Sequence, residues 1–170
     1  MKSVILIRHV KSDWSNLLTD FDRPIREDKK EDAKSIAEMI LKDNAVPQYM
    51  IASPAKRTRQ TTKLFCKVWG IDKKQVEENP ALYECTAQEI INAIQSADEN
   101  YKRIAIVCHN PAITDFANRY SNANIDNVPT SGALLIEFDA TYWKEINCPG
   151  KLLWFLYPRL IGNNNPSNSL

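Results

Sequence analysis

Residues 3–7 form the first uninterrupted apolar run of the chain, with Val4, Ile5, Leu6 and Ile7 in sequence. A strand buried on both faces reads this way, because neither side of its pleat meets water. The pattern recurs at residues 48–52 and 103–108, and residues 76–79 are expected to form a further short strand. Between these runs the period changes. Residues 28–43 carry Ala33, Ile36, Ala37, Ile40 and Leu41 at spacings of three and four, which predicts an amphipathic helix with a charged outer face. Ser53-Pro54 predicts the start of a second helix, since Ser caps well and Pro suits the first helical position. Gly70 stops that helix just after Trp69. Residues 86–97, with Ile90, Ile91 and Ile94 on one side, predict a third. Asn110-Pro111 repeats the cap-and-proline device and opens a fourth, running to about Tyr120.

Beyond Tyr120 the alternation stops. Residues 133–138 and 151–157 read as strands, and the loop between them, with Cys148-Pro149-Gly150, carries no helical pattern. The two are therefore expected to pair antiparallel at one end of the sheet. Residues 162–170 are mostly Asn, Ser and Pro and are expected to form a disordered tail. The whole predicts an α/β fold, a three-layer α/β/α sandwich with a mostly parallel sheet and an antiparallel strand. A chain of 170 residues suits one core, so residues 1–161 are expected to form a single domain.

Composition narrows the function classes. Hydrophobic residues make up 44% and charged residues 25%, the balance of a soluble globular protein. A net charge of +1 gives no electrostatic footprint for nucleic acid. No run approaches the roughly 20 apolar residues of a membrane helix, and no signal peptide is visible at the start. The expected location is the cytoplasm. None of the four cysteines forms a C-x-x-C pair, which argues against a zinc site and for free thiols. There is no signal for an oligomeric state.

Both histidines of the chain sit where a buried strand should end. His9 follows the first apolar run with Arg8 between, and His109 follows Cys108 directly. Ligands of parallel α/β sheets bind at the carboxyl ends of the strands. Three polar clusters fall there: Arg8-His9-Val10-Lys11-Ser12, Ser53-Pro54-Ala55-Lys56-Arg57 and His109-Asn110-Pro111. Two of them open helices, whose free N–H groups and dipoles favour anions. Arg57, one turn into its helix, can lean back to the same spot. Two guanidiniums, two imidazoles and two helix ends suit a phosphoryl dianion. Arginine cannot be a nucleophile at neutral pH, but imidazole can. One histidine is thus a candidate to take the phosphoryl group and the other to donate to its oxygens. Glu84, just before the third helix, is the best candidate acid for the leaving group. Arg23 and Lys11 read as rim charges, with substrate contact open to them.

These residues resemble a known family. Arg8-His9 after the first strand is similar to the R-H-x-x-S start of the histidine phosphatase superfamily. The stretch from Ser53 to Thr61 resembles its S-P-x-x-R-x-x-Q-T helix, and Val107-Cys108-His109-Asn110-Pro111 its V-G-H-N-P segment. Asp22-Arg23-Pro24-Ile25, Leu82-Tyr83-Glu84 and Pro129-Thr130-Ser131-Gly132 resemble segments of the SixA-like phosphohistidine phosphatase branch. The resemblance runs in order to about residue 158. It implies a phosphoglycerate mutase-like fold and attack on phosphorus by His9. It further implies oxygen-holding roles for Arg8, Arg57 and His109, proton donation by Glu84, and no metal or other cofactor. Val10 and Cys108 stand where the family often has Gly, and Asp28-Lys29 replaces a usual Arg-Gly.

The expected function is that of a phosphatase, a phosphoric-ester or phosphoramidate hydrolase, working through phosphohistidine on His9. Phosphohistidine in proteins is the expected substrate. The alternatives are a small-molecule phosphomonoesterase and a non-catalytic phosphate- or phosphoprotein-binding module on the same fold. The expected partner is accordingly a phosphorylated protein or a small phosphorylated metabolite, with no nucleic acid and no membrane.

Overall fold

The computed structural model describes residues 1–163. Six strands form one sheet: β1 (Lys2–Arg8), β2 (Tyr49–Ala52), β3 (Val76–Glu78), β4 (Arg103–Cys108), β5 (Ala133–Phe138) and β6 (Lys151–Leu156). Five helices accompany them: α1 (Lys30–Lys42), α2 (Lys56–Trp69), α3 (Ala87–Gln95), α4 (Ala112–Arg119) and α5 (Pro158–Asn163). The strand order is β3-β2-β4-β1-β5-β6. The first four of these neighbours run parallel; β5 runs antiparallel to β1, and β6 antiparallel to β5. The expected antiparallel pair at the sheet's end is present, with a bulge between Leu135 and Ile136.

The side chains of each central strand alternate between two cores. Val4, Leu6, Ile104 and Ile106 pack on one face with Ile90 and Ile94 of α3 and Ile113 and Phe116 of α4. Ile5, Ile7, Met50 and Val107 pack on the other with Ile36 and Ile40 of α1 and Phe65 and Trp69 of α2. The three layers follow from this alternation, because a strand buried on both sides needs helices on both sides. Each such buried side chain contributes about 1.5–3 kcal/mol.

The register of the sheet places the candidate site. Arg8 of β1 pairs with Cys108 of β4, so His9 and His109 leave the sheet side by side, one residue past each strand. Ala52 of β2 pairs with Val107, and the Ser53 N–H donates to the Val107 carbonyl at 2.9 Å. Three chain segments thus emerge together at one edge.

Several element ends differ from expectation. Ser53 and Asn110 do not cap their helices: α2 starts at Lys56 and α4 at Ala112, with neither N-cap making a side-chain bond. Each polar side chain is engaged elsewhere, Ser53 with His109 and Asn110 with Asn127 and Val128. A 3-10 turn at Glu27–Lys29 precedes α1, and α3 ends at Gln95. The predicted stops and starts at Gly70 and Thr86 are present. Gly70 adopts the left-handed conformation (φ 68°), and Thr86 forms a capping box with Glu89. Gly162 and Asn163, expected in the tail, are the last residues of α5; the rest of that stretch lies outside the described residues. No helix among the described residues is long and apolar enough to cross a membrane.

Candidate active site

The end of β1 sets His9. Its Nδ1 lies 2.7 Å from the Val10 carbonyl oxygen, an acceptor only, so this nitrogen carries the proton and donates it. Nε2 is left with a lone pair. The next peptide is pinned in turn: the Val10 N–H donates to Thr61 Oγ1 of α2 at 3.0 Å. The His9 backbone N–H reaches the Cys108 carbonyl at 3.4 Å. The His9 and His109 ring centroids are 5.2 Å apart, with the planes tilted by 56°.

His109 has the opposite tautomer. A guanidinium only donates, so the 3.3 Å contact from Arg57 Nη2 makes Nδ1 of His109 the acceptor. The remaining proton is on Nε2, which donates to Ser53 Oγ at 2.7 Å. Both rings are buried and both resist protonation. Burial pushes His9 down to about 4, with the Arg57 and Arg8 charges adding to it and the Val10 carbonyl and Asp20 opposing. Burial, then His9 and Arg57, push His109 down to about 3. Both imidazoles are therefore neutral at physiological pH.

Two expected arginines are brought here. Arg8 Nη1 donates to the Val128 carbonyl at 2.7 Å, while its buried Nε has no hydrogen-bond partner among the described residues. Burial holds its guanidinium below the usual value. Arg57 donates from Nη1 to the Asp20 carbonyl at 2.6 Å and from Nη2 to the Asp20 carboxylate at 3.1 Å. The same carboxylate accepts from the Tyr83 hydroxyl at 2.8 Å and pairs with Arg23. Burial works against the Asp20 charge. The Tyr83 hydroxyl and the two guanidiniums outweigh it and hold the carboxyl below the usual carboxylate range.

Arg23 corrects the reading of it as a rim charge. It is buried, its guanidinium carbon stands 3.2 Å from the Trp14 ring centroid, and its Nε is also without a partner among the described residues. Lys11 is exposed, as a rim charge should be. Glu84 is exposed as well, on a left-handed backbone (φ 53°), with no hydrogen bond or ion pair to the described residues. The residue before it is the one that reaches inward: the Tyr83 ring stands edge-on to His109, centroids 5.9 Å apart.

Sequence reasoning missed Asp20 and Tyr83 and gave Ser53 the wrong task. Asp20 lies in a polar stretch whose path no periodicity fixes, so nothing local marked it. Val10 and Cys108, the two departures from Gly, both direct their side chains into packed cores, Val10 with α1 and α2 and Cys108 with α3 and α4. A cavity of about 640 Å³ between α2 and β3, lined by Arg59, Thr62, Cys66 and Ile71 among others, shares no lining residue with the histidine site.

The sequence profile of the histidine phosphatase superfamily (branch 1) matches residues 4–90, which include Arg8, His9, Arg57 and Glu84. An uncharacterized chloroplastic protein of Arabidopsis thaliana is 29% identical over 153 residues, covering 85% of this chain and 70% of that protein. A crystal structure assigned to phosphohistidine phosphatase SixA of Agrobacterium tumefaciens superposes with a TM-score of 0.78 at 24% identity, over 92% of this chain and 98% of that one. The protein histidine phosphatase SixA complexed with tungstate gives 0.80 at 16% identity, over 94% and 99%. A mycobacterial glucosyl-3-phosphoglycerate phosphatase gives 0.64 at 13% identity, over 89% and 97%. At these identities the structural likeness establishes the fold, a phosphoglycerate mutase-like α/β sandwich.

Proposed function

The chain belongs to the histidine phosphatase superfamily, and from that premise we propose that it hydrolyses phosphoryl groups through a phosphohistidine formed on His9. The observation that carries the reading is the His9 tautomer. Its Nδ1 proton is committed to Val10, and burial keeps the ring neutral, so Nε2 holds a lone pair among guanidiniums.

In the first step Nε2 of His9 attacks phosphorus. The N–P bond forms as the bond to the leaving group breaks, and the leaving group takes the electron pair and a proton. In the second step water attacks phosphorus and gives a proton to the Glu84 carboxylate, the N–P bond breaks with its electron pair returning to Nε2, and inorganic phosphate departs. Arg8, Arg57 and His109 hold the non-bridging oxygens, where charge concentrates in the transition state. An arriving dianion raises the His109 pKa and favours its protonated, doubly donating form. Glu84 supplies the proton that an ester oxygen needs. The imidazole of a phosphohistidine can leave carrying its own.

Phosphohistidine on a protein is the proposed substrate. The segment that leads to Asp20 exposes Trp14, Leu17 and Leu18, an apolar surface that suits contact with a protein substrate, and a SixA of the same fold is known as a complex with tungstate, itself a tetrahedral oxyanion. A small phosphomonoester is the second reading, supported by the likeness to the mycobacterial phosphatase. The inward packing of Val10 and Cys108 leaves the site unblocked, which favours an enzyme over a binding module. All four thiols are free, which suits a reducing compartment, the cytoplasm in our reading.

A side-by-side assay on phosphohistidine peptide, phosphoserine peptide and sugar phosphates tests this. The expected result is fastest turnover of phosphohistidine, with acid-labile, alkali-stable phosphate trapped on His9. Turnover of none of them by the wild type overturns the reading.

A further inference from the structure

Arg23 is 5% exposed, although it belongs to the exposed segment between β1 and α1. A guanidinium keeps its charge at any physiological pH, so one buried this far needs an anion. The anion it has is the half-exposed Asp20 carboxylate, which Arg57 and Tyr83 bind as well. Arg23 Nε remains unpartnered among the described residues. The main chain around Asp20 is held separately. Its carbonyl accepts from Arg57 Nη1, and the Phe21 carbonyl accepts from the Lys56 N–H at 2.9 Å. The carboxylate can therefore rotate away while the backbone stays in place. Arg57 Nη2 touches both the carboxylate and His109, so this internal anion stands one guanidinium from the paired imidazoles.

We propose that Arg23 is a third phosphoryl-holding guanidinium, and that the Asp20 carboxylate occupies Arg23 and Arg57 until a phosphoryl group replaces it. The proposal rests on the phosphatase reading for its ligand and needs no turnover for its test. With both imidazoles neutral, the cations of Arg8, Arg23 and Arg57 and the anion of Asp20 leave the site two charges positive. That is the complement of a phosphoryl dianion. When the carboxylate turns out, Arg57 Nη2 and the Arg23 fork are released as donors, and Arg8 Nε adds another. When it returns, it competes with bound phosphate and speeds product release.

Inorganic phosphate titrated into the full chain at pH 7.5, followed by calorimetry, tests the pair. Asp20→Asn keeps the shape and removes the competing charge, and is expected to tighten phosphate binding about tenfold, the scale of one charged hydrogen bond. Arg23→Gln is expected to weaken it about tenfold, and to cancel the gain when combined with Asp20→Asn. If Arg23→Gln fails to fold, Arg23→Lys keeps the charge without the fork and is expected to weaken binding by a smaller factor. Phosphate affinity unchanged in Asp20→Asn, or in a folded Arg23 variant, overturns the proposal. So does the absence of phosphate binding in wild type and Asp20→Asn alike. The expected order of affinities in a protein that hydrolyses nothing sinks the phosphatase reading alone. Phosphohistidine turnover with equal phosphate affinity in all variants sinks this inference alone.

Discussion

Nδ1 of His9 stands 2.7 Å from the carbonyl oxygen of Val10, and that contact decides which nitrogen of the ring can react. A carbonyl only accepts, so the proton lies on Nδ1 and the lone pair on Nε2. The first prediction follows from it. Nitrogen-15 NMR at pH 7 should show His9 as the Nδ1–H tautomer and His109 as the Nε2–H tautomer. His9→Ala should lower kcat on every substrate by about 10³-fold or more, since it removes the atom proposed to attack phosphorus. The reverse tautomer at His9 would remove the basis of the assignment.

The second prediction concerns pH. His9 titrates at about 4 and His109 at about 3 in the folded chain, both below the ordinary 6.5. Between pH 6.5 and about 4 the unfolded chain binds protons that the native one refuses. Stability from these groups is therefore complete above about pH 6.5 and falls as pH drops, by about 1.4 kcal/mol per pH unit for each histidine. Urea midpoints measured from pH 8 to pH 4.5 should decline on the acid side. His9→Gln and His109→Gln should each flatten that decline. Bound phosphate should move both titrations upward.

Much of this arrangement was legible in the sequence, and the reason differs by residue. The runs ending at Arg8 and Cys108 fixed the strand ends because buried parallel strands leave few ways to read so short an apolar run. The same pattern sets His9 and His109 side by side, one residue past each strand. Arg57 followed from its register with Ser53, although α2 starts only at Lys56 and leaves Arg57 as its second residue. Ser53 was misread because a hydroxyl before Pro is the ordinary cap signal, and only tertiary packing shows that His109 takes its oxygen. Asp20, Arg23 and Tyr83 depend on the path of a loop and on a contact between residues 63 positions apart, which leave no periodic trace.

Ser53→Ala is the third prediction. It removes the acceptor of the His109 Nε2 proton and leaves a buried donor unsatisfied. That loss is worth about 1–3 kcal/mol, so kcat should fall about tenfold to a hundredfold. The His109 NMR signals should show mixed tautomers. An unchanged kcat would mean that Arg57 alone orients the ring.

Gly132→Ala is the fourth. A Cβ there meets the Pro129 carbonyl oxygen at 2.7 Å and Val128 Cγ1 at 3.1 Å, inside the turn whose Val128 and Gly132 carbonyls hold Arg8. The turn must open, at a cost of about 1–3 kcal/mol. KM for phosphorylated substrates should rise with the loss of stability. Gly70→Ala is the control. Its Cβ meets nothing, but φ of +68° is strained for Ala, so it should cost about 1 kcal/mol and leave kinetics unchanged.

The last prediction separates leaving groups at Glu84. The carboxylate is exposed and bonded to none of the described residues, so replacing it by Gln removes a proton donor and little else. An alkyl phosphate ester leaves as a strongly basic alkoxide and needs that proton in the transition state. General acid catalysis of this kind is worth about 10²–10⁴-fold. p-Nitrophenolate is a stable anion, and a phosphohistidine imidazole can be protonated by solvent before it leaves. Glu84→Gln should therefore slow an alkyl ester by about a hundredfold or more, while both other substrates stay within a few-fold of wild type. Equal losses on all three would place Glu84 in binding or structure. No loss on the alkyl ester would leave the proton to Tyr83 or water, and Tyr83→Phe then distinguishes those two.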